Sequence, residues 1–390
     1  MSSSLDIGRR NAIPIIYTSG THYEVGFDVG RTFRSLIQEY LGVSKVVNKL
    51  LLPAYETKEG RAAYDSTLAS LTENYPHYVK ELEGTADGAQ VPFHQLMLLH
   101  VNDAVFMAAG LDLGEIIDTP TGCSSLSINK EGQILLGHTE DALGELLNYV
   151  YIVSARIHDK PRGRQATLDE NFTALCYAGH LPGFCMGYNH HGLTFSINVI
   201  CPRKVLAAKT PRHFLCRALL SAKTIGGAHD ILRDEGTGSA HGFSVNMVFM
   251  HQDGDYLFEN VEIGPAENCN ESPLSIVTLS LGEHLLHTNK YLRLTNITEE
   301  DGKCMESSNL RHARASQFPA PKNCHDLLEL LSDTEDSTFP FFREGSEKDP
   351  AKTVALGVFD LVKKTWTIWM RNPRTADPLL EIPLLFTWST

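Results

Sequence analysis

From residue 123 onward the chain reads as short alternating apolar segments in pairs, each pair joined by a polar turn containing glycine, and this pairing constrains the fold most. Strands separated by so few residues can only be antiparallel neighbours. Four pairs are read: Ser124–Asn129 with Ile134–Thr139, Phe184–Tyr188 with Leu193–Asn198, Phe243–His251 with Tyr256–Ile263, and Thr353–Asp360 with Thr365–Arg371. Before them, apolar residues recur at helical spacing and predict helices over Tyr23–Tyr40, Val43–Leu51, Arg61–Tyr75, Tyr78–Ala86 and Pro92–Ala109. Further helices are predicted at Arg212–Ala222, Gly227–Arg233, Asn309–Gln317 and His325–Ser332. Hairpins with separate helices, not alternating βαβ units, imply an α+β fold in which two antiparallel sheets are sandwiched between helices.

Several glycines interrupt the helical region. Gly20, Gly26, Gly30, Gly84 and Gly88 each carry a cost of about 1 kcal/mol relative to alanine within a helix, so they are read as marks of close packing. The stretch Ser332–Lys352, rich in charge, Gly and Pro, is read as a long surface loop, as filler ahead of a lid.

Composition narrows function. With 390 residues and 42% hydrophobic content the chain builds a large core. A net charge of -13 argues against nucleic acid or an anionic membrane as partner. The opening MSSSLDIGRR lacks the apolar stretch of a signal peptide, and no segment is long and apolar enough to span a membrane. The 8 cysteines form no CxxC pair, which suits reduced thiols in the cytoplasm and gives no support for a metal or other cofactor. The sequons at Asn171, Asn270 and Asn296 carry no weight outside the secretory route.

Chemistry concentrates at Cys123, which opens the first predicted strand after the turn residues Thr119, Pro120, Thr121 and Gly122. A Gly-Cys pair alone is weak, and a buried structural cysteine is its ordinary explanation. Its setting raises it: with Lys130–Gln133 as the turn, Ile128 pairs with Ile134 and Cys123 with Thr139, leaving Asp141 just beyond the strand end beside Cys123. If the chain breaks between Gly122 and Cys123, the new N-terminal cysteine supplies a thiol and an α-amine able to take its proton. Asp141 would orient the ammonium form. Gly122 permits the close approach that attack on the preceding carbonyl needs. Asn198 and Asn289, at predicted strand ends, are candidates for stabilising an oxyanion, though such asparagines are commonly turn formers.

Other features are weaker. His190 and His191 are read as exposed turn residues, and Asp253-Gly254-Asp255 as a hairpin turn. Glu262 points inward by alternation, and Arg311 with Arg314 shares a helix face suited to a structural ion pair ahead of a substrate carboxylate.

Taken in order, THYEVGFDVG, ELEGTADGAQV, GCSSL, GHTED, GYNHHGLTFSIN, HTNKY and SSNLRHARA resemble the acyl-coenzyme A:6-aminopenicillanic acid acyltransferase family of N-terminal-nucleophile enzymes over most of the chain. The resemblance implies a four-layer αββα sandwich, self-cleavage before Cys123, and an active enzyme built from the associated fragments 1–122 and 123–390. It implies Cys123 as nucleophile, Asp141 as the hairpin aspartate, Asn289 as the oxyanion asparagine and, less closely, Asn198. Lys290 after HTN, and Thr139-Glu140 before the aspartate, depart from the family pattern and bear on substrate. Length and cleavage position are similar to family members that hydrolyse β-alanyl amines, N-β-alanyldopamine to dopamine and carcinine to histamine. An N-acyltransferase would share every one of these residues, and a papain-like Cys-His hydrolase or a non-catalytic binding protein on the same fold stays open. So does further dimerisation of the cleaved pair.

Overall fold

A computed structural model describes residues 8–111, 122–159, 163–164, 169–251, 254–346 and 348–387. The segment Thr119 to Thr121, with residues 112–118 before it, and Asp253 of the expected hairpin turn lie outside the described residues. The described strands form two sheets. The first has eight strands in the order β1-β4-β5-β6-β7-β8-β9-β10 and the second six, β11-β2-β3-β12-β13-β14. In chain order they are β1 Ile15–Gly20, β2 Gly122–Lys130, β3 Gln133–Leu143, β4 Val150–His158, β5 Asp169–Tyr177, β6 Met186–Asn189, β7 Leu193–Ile200, β8 Gly242–Met250, β9 Tyr256–Ile263, β10 Leu274–Thr278, β11 His284–His287, β12 Ala351–Asp360, β13 Thr365–Trp369 and β14 Leu380–Pro383. Among the described strands, only β1 with β4 is a parallel pair.

Three apolar cores separate four layers. One joins the outer face of the first sheet (Tyr151, Val153, Phe195, Val245) to the N-terminal helices and to the helices Arg212–Leu219 and Ile225–Arg233. The second lies between the sheets, with Ile152, Tyr177 and Val248 against Leu136, Phe359 and Trp366. The third joins the far face of the second sheet (Leu126, Ile128, Leu135, Leu356) to Leu327, Leu330 and Leu331 of the helix Cys324–Leu331. This is the expected αββα sandwich.

The helical region begins with α1, His22–Thr32, started by a capping box in which Thr21 and Glu24 satisfy each other's backbone N–H groups. The expected single helix to Tyr40 is broken at Phe33 (φ -103°, ψ 20°), whose ring stacks on Tyr151 with centroids 3.9 Å apart. Tertiary packing there overrides helix continuity. A second helix follows, α2 Arg34–Val43, and then a π-helical turn Val47–Leu51 leads into α3 Leu52–Glu56. The remaining helices of this layer are α4 Lys58–Asn74, α5 Pro76–Ala89 and α6 Phe93–Ala108.

Four of the five glycines mark close packing; Gly20 instead ends β1, where a Cβ would meet only the Glu24 side chain, at 2.9 Å. A Cβ at Gly26 or Gly30 of α1 would lie 1.9 or 2.1 Å from the carbonyl oxygens of Glu81 and Thr85, and one at Gly84 or Gly88 of α5 would lie 2.1 or 2.2 Å from those of Tyr23 and Phe27. The two backbones therefore touch, and a single methyl has nowhere to go. Gly26→Ala should cost about 3 kcal/mol, read as a lower midpoint of urea unfolding; an unchanged midpoint would show that the helices separate freely.

Candidate active site

The β2–β3 hairpin carries the site, and its register differs from the expected one. The turn is only Glu131-Gly132, with Gly132 at φ +70°, and Lys130 pairs with Gln133. Ile128 pairs with Leu135 instead of Ile134, so Cys123 faces Glu140 instead of Thr139, and Asp141 faces Gly122. A one-residue slip exchanges the faces of a strand. Cys123, Ser125, His138 and Glu140 point between the sheets, whereas Ser124, Thr139 and Asp141 share the outward face of Leu126 and Leu135.

Cys123 is buried, 3% exposed. Burial, with the Glu140 charge next, pushes its thiol above the ordinary range, so it is a neutral thiol that needs a base. Its thiol is addressed by Asn289, which follows β11; that strand pairs with β2 and sets His287 opposite Ser125. Asn289 Oδ1 accepts the Cys123 N–H at 3.1 Å, and Asn289 Nδ2 donates toward Cys123 Sγ at 3.4 Å and to the Val199 carbonyl at 2.9 Å.

Arginine fixes which way that amide points. Arg311, on the helix Lys303–Ala315, donates from Nη2 to Asn289 Oδ1 at 2.7 Å, and a guanidinium has no acceptor to offer. The oxygen must face Arg311 and the NH2 must face the sulfur. Arg311 Nη1 also holds the Cys123 carbonyl at 2.7 Å and the Ser124 hydroxyl at 2.8 Å. Burial, then the neighbouring Arg343, lowers the Arg311 guanidinium to about 10. Arg311 thus grips the cysteine backbone instead of forming the expected ion pair; Arg314, 2.8 Å from Asp333, forms one.

Asp141 lies on the Gly122 side of the strand. Thr353 Oγ1 donates to its Oδ1 at 2.6 Å and Arg343 Nε lies 3.3 Å from its Oδ2. Burial raises its carboxyl and the Arg343 and Arg311 charges oppose that rise. Arg343 comes from the stretch expected to be filler: Phe339, Phe341 and Phe342 bury there, and Arg343 is 1% exposed. That part of the segment is a built wall of the site.

Behind Cys123 the inter-sheet space is polar. Arg293 Nη2 donates to Asn260 Oδ1, Asn260 Nδ2 to Asn246 Oδ1 at 2.9 Å, and Asn246 Nδ2 to Asn198 Oδ1 at 2.8 Å. Ser125 Oγ also donates to Asn198 Oδ1 at 2.8 Å, so the 2.8 Å contact between Ser125 Oγ and His138 Nδ1 carries the imidazole's hydrogen. His138 Nε2 then meets Glu140 Oε2 at 3.0 Å, and the Tyr177 hydroxyl donates to Glu140 Oε1 at 2.6 Å. Asn198 is therefore spent on Ser125, Asn246 and the His287 carbonyl, and among the described residues it forms no hydrogen bond with Cys123. Glu262 is inward and fully buried, as alternation predicts, and accepts the backbone N–H groups of Leu292, Arg293 and Leu294. His190 is buried at 8% exposure and stacks on Tyr188, contrary to an exposed turn residue.

The site opens on a cavity of about 260 Å³ whose lining includes Gly122, Cys123, Glu140, Asp141, Tyr177 and Phe184. Cys201 and Cys304 also line it, their sulfurs 3.6 Å apart and unbonded. Among the described residues, Cys123, His138 and Glu140 are the one grouping whose donor atoms could share a metal ion, lying within 4.8 Å of one another. No described helix is long and apolar enough to cross a membrane.

Known proteins match most of this chain. Residues 128–375 match the family model of acyl-coenzyme A:6-aminopenicillanic acid acyl-transferase. The chain belongs to this family. A beta-alanyl-dopamine/carcinine hydrolase of Drosophila melanogaster is 43% identical over 389 residues, covering 99% of this chain and 100% of that protein. A solved penicillin V acylase from Agrobacterium tumefaciens aligns at 10% identity and a TM-score of 0.38, covering 67% of this chain and 86% of that one, and decides nothing about the site. The family model starts after Cys123, so the reading of the nucleophile rests on the local geometry.

Proposed function

We propose that the chain is a self-cleaving amide hydrolase that releases β-alanine from β-alanyl amines such as N-β-alanyldopamine and carcinine, through a thioester on Cys123. The observation that carries this is Asn289 bound to Cys123 at both ends, oxygen to N–H and amide nitrogen to sulfur. The full-length similarity to a hydrolase of that name supports the substrate class.

The chemistry follows from the geometry. In the uncut chain the Cys123 thiol attacks the Gly122 carbonyl, and water releases the thioester to leave Cys123 with a free α-amine. That amine takes the thiol proton, overcoming the burial that keeps the thiol neutral. The thiolate attacks the substrate carbonyl, and the Asn289 NH2, already turned toward sulfur, donates to the oxyanion. The amine product leaves with the proton, and water hydrolyses the acyl-enzyme. Asp141 with Arg343 sets the charge on the Gly122 side, and Asn198 braces Ser125 and His138 from behind. Phe106, Leu99 and Phe184 give the cavity apolar lining for the aromatic amine. Residues 1–122 and 123–390 stay associated, because α1 to α6 cover the first sheet's outer face. Unpaired cysteines support a cytoplasmic setting.

The family's acyl-transferase name favours one second reading, transfer of the acyl group from a coenzyme A thioester to an amine. Both are tested by incubating the purified protein with carcinine, with and without such a thioester. Hydrolysis predicts histamine and β-alanine in equal amounts with no thioester present; amide formation that requires the thioester would replace it.

A further inference from the structure

The cavity wall beside Cys123 carries a buried carboxylate that the reaction above does not use. Glu140 is 6% exposed, lines the cavity and sits across the strands from Cys123. Among the described residues no lysine or arginine forms an ion pair with it; its partners are the Tyr177 hydroxyl and His138 Nε2. Burial, then Glu140 itself, holds the Tyr177 phenol well above its ordinary range, so this hydroxyl stays protonated and donates. The asparagine chain puts the imidazole hydrogen on Nδ1, so a neutral His138 turns an acceptor lone pair toward Glu140 Oε2. Two acceptors 3.0 Å apart require a donor between or beside them. An ammonium with three N–H donors serves both.

Distance selects which ammonium. In the thioester the acyl carbonyl carbon is bonded to Sγ, and two methylenes carry the β-alanyl nitrogen roughly 4 Å beyond that carbon. Cys123 Sγ, a Glu140 carboxylate oxygen and a His138 ring nitrogen all lie within 4.8 Å of one another, so the β-alanyl nitrogen reaches hydrogen-bonding distance of the carboxylate. We propose that Glu140 is the specificity-determining residue of this site, receiving the substrate's β-ammonium while Cys123 holds its carbonyl. This inference rests on the β-alanyl amide hydrolase reading.

The test uses self-cleaved wild type, Glu140→Gln and Glu140→Asp, with active sites titrated by alkylation of Cys123. Three histamine amides are compared: β-alanyl, butanoyl (no ammonium) and 4-aminobutanoyl. The ratio of kcat/KM for β-alanyl over butanoyl should fall roughly 100-fold in Glu140→Gln, because an ammonium then enters a buried site without its counter-charge. Glu140→Asp withdraws the carboxylate by one methylene and should shift preference toward the 4-aminobutanoyl amide. A Glu140→Gln ratio within about threefold of wild type would overturn the assignment, as would an unaltered chain-length preference in Glu140→Asp if Glu140→Gln does not mature. Wild type that turns over none of the three amides would instead sink the hydrolase reading itself.

Discussion

Cys123→Ala should abolish release of histamine from carcinine, a loss of about 10⁴-fold or more. Cys123 is the reacting atom's only carrier in the proposed path, and its surroundings are built around it. Arg311 grips its carbonyl, and Asn289 takes its N–H and addresses its sulfur. Cys201 and Cys304 share the cavity, but neither sulfur receives a side-chain amide among the described residues, so neither replaces it. Retained turnover in the alanine variant, measured by amine release, would move the chemistry elsewhere.

Asn289→Ala should lower kcat by about 10² to 10³, with a smaller change in KM, because the lost donor acts on charge that develops only after attack. The informative companion is Asn289→Asp. It preserves shape and the oxygen that binds Arg311 and the Cys123 N–H, yet turns the group facing sulfur from donor to acceptor. The aspartate variant should be as impaired as the alanine one if donation matters. Near-normal kcat in Asn289→Asp, with Asn289→Ala impaired, would assign Asn289 to packing and backbone support alone.

Layering was legible in the sequence because hairpins announce themselves: a polar glycine turn between alternating segments fixes antiparallel neighbours. Strands β4 and β5 escaped because Val150 and Ile152 serve one core while Tyr151 and Val153 serve another, leaving no polar face to alternate. The register at Cys123 turned on one residue. Pairing Ile128 with Ile134 instead of Leu135 put Thr139 opposite the nucleophile and hid Glu140. A readable signal was present in GCSSLSINK, where Cys123, Ser125, Ser127 and Asn129 alternate with the apolar Leu126 and Ile128, marking a polar face that turns inward. The same alternation recurs at Ser196 and Asn198, at Ser244 and Asn246, and at Asn260 and Glu262. Arg343 had no comparable signal. It reaches Asp141 from an irregular segment more than 200 positions later in the chain, its neighbour Thr353 being 212 residues from Asp141, and only tertiary folding makes that pairing.

Intact-mass analysis with N-terminal sequencing, on purified wild type beside Cys123→Ala under reducing denaturing conditions, tests the central claim most directly. The account predicts two fragments in wild type, residues 1–122 and 123–390, the second beginning with a free Cys123, and one uncut chain in the variant. A wild-type chain that hydrolyses carcinine while remaining uncut would contradict it.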